Sequence, residues 1–310
     1  MKKPKIVLVY DVKGWTSYDR CENMKKYMSD TFLMDLIPEK HFHKNLEKFY
    51  SDYDLYYLCF HTMLARGEYT NRIPPQKIVT TVAVRTIISK IFGGKIKFNI
   101  TPMEFWKETS SKCAAIFANN LLAYNDLKKI YDGPKYYVPH GVDEKVFYKK
   151  KYDRKTFKIC SVGKPIKEKG LKEFIEPASI KANVQLLKNT RNFTNALSKQ
   201  EMCDLYNISN AYVVASVMDG TPCPALEAAA CGRPIISNRI GNMPEFIKDG
   251  YNGFLVNRSS DEYAEKITWL KNNIDKAEMM GENARKEVLK KWTWKEVLER
   301  EKRVLQRILR

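Results

Sequence analysis

The sequence contains no C-x-x-C pair, no low-complexity segment, no repeat of fixed short period and no stretch approaching the ~18 consecutive apolar residues of a membrane span. Each absence excludes something. The seven cysteines, at 21, 59, 113, 160, 203, 223 and 231, are odd in number and scattered, which argues against a disulfide framework or a zinc site and for a reducing, cytoplasmic setting. Without a long apolar run, any membrane contact is expected to be peripheral. The opening MKKPKIVLVYDVKG places basic residues ahead of an apolar run, but the run before Asp11 is too short for a signal segment and reads as a first strand. The loop after it, DVKGWTSYD, has a single glycine where a dinucleotide fold needs G-x-G-x-x-G, so nicotinamide or flavin chemistry is not expected.

What is present is a globular chain of 310 residues, 44% hydrophobic and 12% aromatic, enough to fill two cores. The formal net charge is +18, and it divides evenly: residues 1–150 hold 25 basic and 16 acidic residues, 25 − 16 = +9, and residues 151–310 hold 29 and 20, again +9. Such a field suits a polyanion, though a lysine-rich soluble surface would produce it too. Short apolar runs alternate with helical patterns, the mark of an α/β fold with parallel sheets. A first series of strands is expected at 5–10, 53–60, 77–84, 113–118 and 135–140, and a second at 157–163, 183–188, 211–216, 234–238 and 253–256. The joint falls in the charged stretch 144–158. A helix over 198–209 opens on Ser198-Lys-Gln-Glu201, a capping box, and 276–310 reads as a pair of amphipathic helices.

Residues 219–256, DGTPCPALEAAACGRPIISNRIGNMPEFIKDGYNGFLV, set Asp219, Glu227, Glu245 and Asp249 among glycines and prolines in an otherwise apolar stretch. Something polar is expected to bind here. A strand ends at Ser216, a Gly/Pro loop follows, and a helix starts near Pro224 and closes at Cys231-Gly232, where glycine is the residue that follows a helix end. The helix N-terminus offers free N–H groups and the positive end of its dipole to a phosphate. Glu227, placed in the first turn, could accept a pair of sugar hydroxyls and Asp219 could hold a second ring. Taken singly, Glu227 could merely suit the helix dipole and Asp219 merely begin a turn.

An acid, seven residues, then Glu, followed by A-x-A-C-G-R-P-I-I and E-F-I-K-D-G-Y-N-G-F-L-V, resembles the signature of the family-4 glycosyltransferases of the GT-B fold. VPHGVDEKVF (138–147), SVGKPIKEKGLKEFI (161–175) and GENARKEVLKKWTWKEV (281–297) resemble that family's interdomain segment, its glycine and basic motif and its terminal helix. The resemblance implies two Rossmann-like domains facing a central cleft. Residues 1–148 would bind the acceptor, 149–285 the nucleotide-sugar, and 286–310 would form a helix crossing back to the first domain. It implies a retaining, metal-independent hexosyltransferase with no cofactor beyond its donor, a UDP-hexose favoured. Glu227 would bind the nucleotide ribose. Asp219, standing where the family has Glu, would contact donor-sugar hydroxyls together with the backbone of Gly220 and Thr221. Lys164, standing where the family has Arg, and Lys169 would hold the diphosphate beside Gly163. Fixed cations there stabilise the charge left when a sugar–phosphate bond breaks. In the first domain Gly14 would let the backbone approach the donor phosphate, and His61 would bond the sugar or the acceptor, although a lone histidine after a strand is also an ordinary structural residue.

Residues 69–103 hold six Lys/Arg and no acid. They include VRTIISKIF (84–92), an amphipathic helix pattern with Arg85 and Lys90 opposite its apolar face. Three readings stay open: a core-facing helix, an interfacial anchor of a peripheral membrane enzyme that builds a glycolipid, lipopolysaccharide or capsular glycan, or a phosphate-tracking face for DNA, with Trp15 available to stack a base. The even division of charge favours DNA carrying a 5-hydroxymethylated base as the acceptor. A catalytically inactive GT-B module is disfavoured because Lys164, Lys169, Asp219 and Glu227 are all present.

Overall fold

The computed structural model describes residues 2–50, 52–60, 63–64, 72–82, 111–190, 197–217 and 219–310. It divides into two compact units, Met1–Gly141 with Trp294–Arg310, and Val142–Thr293.

In the first unit the strands are β1 (Lys5–Tyr10), β2 (Leu33–Pro38), β3 (Leu55–Leu58), β4 (Ile78–Val82), β5 (Ala115–Ala118) and β6 (Lys135–Tyr137). They form one parallel sheet in the order β2-β1-β3-β4-β5-β6. Both faces are covered, so the inner strands β3 (LYYL) and β5 (AIFA) carry no charge and do not alternate with polar residues, while β4 includes Thr80 and Thr81 and the edge strand β2 includes Asp35. The two-residue period decides only which core each side chain enters. Val7, Val9, Tyr56 and Leu58 pack with Phe42 of helix α2 (Glu39–Lys44), Leu46 of α3 (Leu46–Phe49) and Leu127 of α4 (Leu121–Ile130). Ile6, Leu8, Leu55 and Tyr57 face the other way, toward Cys21 and Met24 of α1 (Thr16–Met28). Burying each such large side chain contributes about 1.5–3 kcal/mol.

The second unit contains β7 (Lys158–Gly163), β8 (Gln185–Thr190), β9 (Ala211–Val214), β10 (Ile235–Asn238) and β11 (Gly253–Val256), parallel in the order β11-β10-β9-β7-β8. Its helices are α5 (Glu176–Lys181), α6 (Lys199–Asn207), α7 (Cys223–Ala230), α8 (Met243–Phe246), α9 (Ser260–Asn272) and α10 (Ile274–Lys291). Helix α6 begins on the expected capping box: the Ser198 hydroxyl oxygen accepts the Glu201 N–H at 3.2 Å while the Glu201 carboxylate accepts the Ser198 N–H at 2.7 Å.

The chain ends in α11 (Trp294–Ile308), whose Trp294, Val297, Leu298 and Leu305 fill the same core as α1. Residues 286–291, expected within the returning segment, instead complete α10, and Val288 packs in the second unit. The break comes at Trp292 and Thr293: the Val142 N–H bonds the Trp292 carbonyl at 2.8 Å and Val142 bridges Thr293, which ends the helix. His140 is buried edge-on against the Trp294 ring, the ring centroids 4.4 Å apart. Among the described residues no helix is long and apolar enough to cross a membrane.

Candidate functional site

In a parallel sheet, the crevice for ligands opens where successive connections leave in opposite directions, at the carboxyl ends of the two strands involved. In the second unit β7 connects to β8 on one side and the chain then returns to β9 on the other. The switch point lies between β7 and β9, and the loops that follow these strands carry Gly163-Lys164 and Asp219-Gly220-Thr221.

The two loops are bound to each other. The Val217 N–H donates to the Glu168 carbonyl at 2.8 Å. Gly170 closes the turn over 167–169 at φ +65°, and a Cβ there would stand 2.5 Å from the Ala215 carbonyl oxygen, so both the backbone conformation and the space require glycine. Lys169 Nζ meets Asp219 Oδ2 at 2.5 Å, both side chains partly covered. A Cβ at Gly163 would stand 3.6 Å from the Lys169 stem, an ordinary van der Waals contact, so the lysine stem runs close beside this residue. From the other flank, Gly241 at φ +52° presses so closely that a Cβ would meet the Gly220 carbonyl oxygen at 2.5 Å. Lys164 is exposed at the end of β7.

Helix α7 begins next to this loop. Cys223 opens it, its N–H held by the Thr221 carbonyl at 2.8 Å, with Pro224 in its first turn, and Gly232 follows its end at φ +75°. The start at Cys223 moves Glu227 from the expected first turn into the second, since it is the fifth helical residue. There its Oε2 accepts the Tyr206 hydroxyl at 2.7 Å. Tyr206, on α6, is fully buried, and burial together with the Glu227 charge pushes its pKa well above the ordinary value, so the phenol stays protonated and donates. Tyr206 was not marked by the sequence as part of the site; twenty-one residues separate it from Glu227 and only the fold joins them.

Two further acids lie in the 219–256 stretch. Asp249 accepts the Leu255 N–H at 2.8 Å and bridges Gly253, which makes it a turn brace. Glu245 stands in the short helix α8.

The first unit has the same kind of switch, between β1 and β3. Gly14 lies in the turn after β1 at φ +80° and is exposed, and Trp15 follows as the residue preceding α1, its ring half-buried. Asp11, another residue the sequence did not single out, braces this turn: its Oδ1 accepts the Val12 N–H at 2.6 Å and the Ser17 hydroxyl. His61, Arg85, Lys90 and the helix pattern at 84–92 lie outside the described residues. Among the described residues, no three or more His, Cys, Asp and Glu gather as a metal site.

Residues 145–287 match the family Glycosyl transferases group 1. The chain is similar to the uncharacterized glycosyltransferase MJ1178 of Methanocaldococcus jannaschii, 31% identical over 140 residues, which is 45% of this chain and 37% of that protein. It therefore spans well under half of that relative's length. Its fold matches the sucrose-phosphate synthase of Thermosynechococcus elongatus with a TM-score of 0.78 at 14% identity, over 99% of both chains. It also matches Anabaena Alr3699/HepE, solved in complex with UDP and glucose, with a TM-score of 0.76 at 14% identity, over 98% of this chain and 100% of that one. The chain thus has the two Rossmann-like units of the GT-B fold, and the Glycosyl transferases group 1 pattern falls on the unit that holds Lys164, Lys169, Asp219 and Glu227.

Proposed function

We propose that the chain is a retaining, metal-independent glycosyltransferase of family 4 that passes a hexose from a UDP-hexose to a hydroxyl of a polyanionic acceptor. The observation that carries this is the Lys169–Asp219 pair at 2.5 Å, set close to Gly163 at the β7/β9 switch and beside the start of α7. Cleaving the sugar–phosphate bond leaves negative charge on the diphosphate. Lys169, held by its carboxylate partner, together with Lys164 and the positive end of the α7 dipole, supplies fixed positive charge where that develops, a role a metal ion would otherwise fill. The first N–H groups of α7 are not free for it, since Cys223 donates to the Thr221 carbonyl, Ala225 to the Pro222 carbonyl, and Pro224 has none. Asp219 and the backbone of Gly220 and Thr221 address the sugar hydroxyls, and Glu227 the ribose. The UDP complex of the Anabaena structure supports the choice of donor.

In the transfer, the bond from the anomeric carbon to the phosphate oxygen breaks as the bond to the acceptor oxygen forms on the same face. The acceptor's proton passes to the departing phosphate. No protein nucleophile is needed.

The even charge of the two halves of the sequence, +9 and +9, supports an acceptor that is itself a polyanion. The reading is duplex DNA bearing a 5-hydroxymethylated base, with Gly14 assigned to the donor, His61 to the sugar or the acceptor, and Trp15, Arg85 and Lys90 to the acceptor. The free thiols suit a cytoplasmic setting. Purified protein is incubated with a panel of nucleotide-sugars and hydroxymethylated duplex DNA, and the digested nucleosides are weighed by mass spectrometry. A hexose on the modified base is the expected product. Free nucleoside diphosphate without it would shift the acceptor to an anionic lipid or glycan. The Glu227→Ala variant is expected to fold and to transfer nothing; unchanged turnover would overturn the site.

A further inference from the structure

Tyr206, on the α6 helix, commits its polar end to the donor unit's candidate ribose carboxylate. Its ring is fully buried, packed edge-on to Tyr212 at 5.8 Å and against Phe147 at 6.0 Å. Tyr212 is itself held, its hydroxyl donating to the Val162 carbonyl and accepting the Val162 N–H, both at 3.1 Å, so the Tyr206 ring has rigid neighbours. A phenylalanine would fill this core with no polar atom to satisfy. The buried hydroxyl is favourable only when paired, and its partner is a carboxylate, which makes the bond stronger than one between neutral groups. Glu227 is only partly buried on α7, so its carboxylate is within reach of a ligand as well as of Tyr206. Anchoring Oε2 at 2.7 Å fixes the carboxylate plane, and with it the direction in which both oxygens present their lone pairs.

We infer that Tyr206 is a positioning residue for nucleotide recognition: it pre-sets the Glu227 carboxylate to receive the ribose hydroxyls of a nucleoside diphosphate. The inference rests on the proposed donor site. Both partners belong to the second unit, so the bond needs no ligand to form and the ordering of Glu227 is not charged to the binding step. Tyr206 touches no reacting atom; its removal weakens binding of ground state and transition state alike, which raises KM and leaves kcat nearly constant.

The test uses the full chain and two probes, UDP and 2′,3′-dideoxy-UDP, with affinities measured by calorimetry. The native protein is expected to prefer UDP. In Tyr206→Phe that preference shrinks about tenfold, the loss expected for one hydrogen bond to a charged group, and the KM for UDP-hexose rises by a similar factor at nearly unchanged kcat. Tyr263→Phe is the control: it deletes an equally buried hydroxyl, bonded to the Val214 carbonyl at 2.6 Å on the opposite face of the sheet, and should leave the preference intact. Equal losses in both variants would reduce the effect to core loosening and overturn the inference. If Tyr206→Phe keeps the full preference while Glu227→Ala loses it, the donor site stands and the inference falls. If Glu227→Ala keeps it too, the donor-site reading fails first. Should Tyr206→Phe not fold, 3-fluorotyrosine at position 206 gives a 19F resonance that must shift with UDP and less with the dideoxy analogue; equal shifts would sink the inference.

Discussion

The β1/β3 switch of the first unit and the β7/β9 switch of the second are topologically the same device, yet they are held in different ways. Around β7 and β9 the loops brace one another: Val217 on Glu168, Lys169 on Asp219, Gly241 against Gly220. Around β1 the bracing is local, with Asp11 bonding the backbone and hydroxyl of its own turn. The first unit places its buried charge elsewhere, where α1, β3 and α11 meet. Arg20 donates to Glu301 at 2.6 Å, to the Tyr57 hydroxyl at 3.2 Å and to the Pro139 carbonyl at 3.3 Å, while Tyr57 donates to the other Glu301 oxygen at 2.5 Å. One unit fixes the loops at its switch with polar contacts; the other fixes its last helix.

That difference predicts opposite phenotypes. Breaking the first unit's polar cluster should cost stability. Glu301 is fully buried, and although burial opposes the charge on Arg20, the Glu301 carboxylate outweighs it and raises the guanidinium pKa above its ordinary value. Glu301→Ala would leave that cation uncompensated in a core. A loss of about 3–5 kcal/mol is expected, seen as a lower denaturation midpoint with amide-exchange protection lost in α11 and α1 while α7 and β9 keep theirs. Uniform loss across both units would contradict the separation.

Breaking the second unit's pair should cost chemistry instead. Lys169→Ala is expected to lower kcat by about 10²–10³-fold, the scale for removing one preorganised charge-stabilising group, with the denaturation midpoint nearly unchanged because the partly exposed pair contributes little to folding. Lys169→Arg should recover part of the rate. A variant that unfolds without losing kcat per folded molecule would make the lysine a brace rather than a phosphate holder.

How far each unit can be read from the sequence follows from how local its contacts are. The alternation of apolar runs, the Ser198-Glu201 cap and the Gly232 stop are set by neighbours within a few residues, and each is found where the pattern puts it. Strand β2 was not anticipated. Its LMDLIP carries Asp35 at mid-strand and ends on Pro38, which argues against a central strand; at the sheet's edge both are tolerated, and Asp35 accepts the Tyr53 hydroxyl at 3.0 Å. The pairings Tyr206–Glu227 and Arg20–Glu301 join residues 21 and 281 positions apart, so no periodicity could signal them. The start of α7 one residue earlier than expected makes Glu227 the fifth helical residue rather than the fourth, just past the first turn.

The smallest predicted effect tests the most local of these features. Hydrogen bonds from Ser198, side chain and backbone, hold the Glu201 carboxyl below its ordinary pKa of 4.5. A folded-state value below the unfolded one means that its stabilisation is fully present above the ordinary carboxylate range and is lost as pH falls through the lowered value. Glu201→Gln keeps the shape of the cap but not the charge. The denaturation midpoint of the native chain should therefore exceed the variant's slightly at neutral pH, and the gap should close on acidification. A gap that persists below about pH 3, under the unfolded carboxylate range, would show that the cap depends on shape alone. Because Glu201 is exposed on α6, the same helix that carries Tyr206, the variant also asks whether fraying the helix start reaches the Glu227 carboxylate. The Tyr206 bond lies in the last turn of α6, within a packed core, so donor affinity should not change.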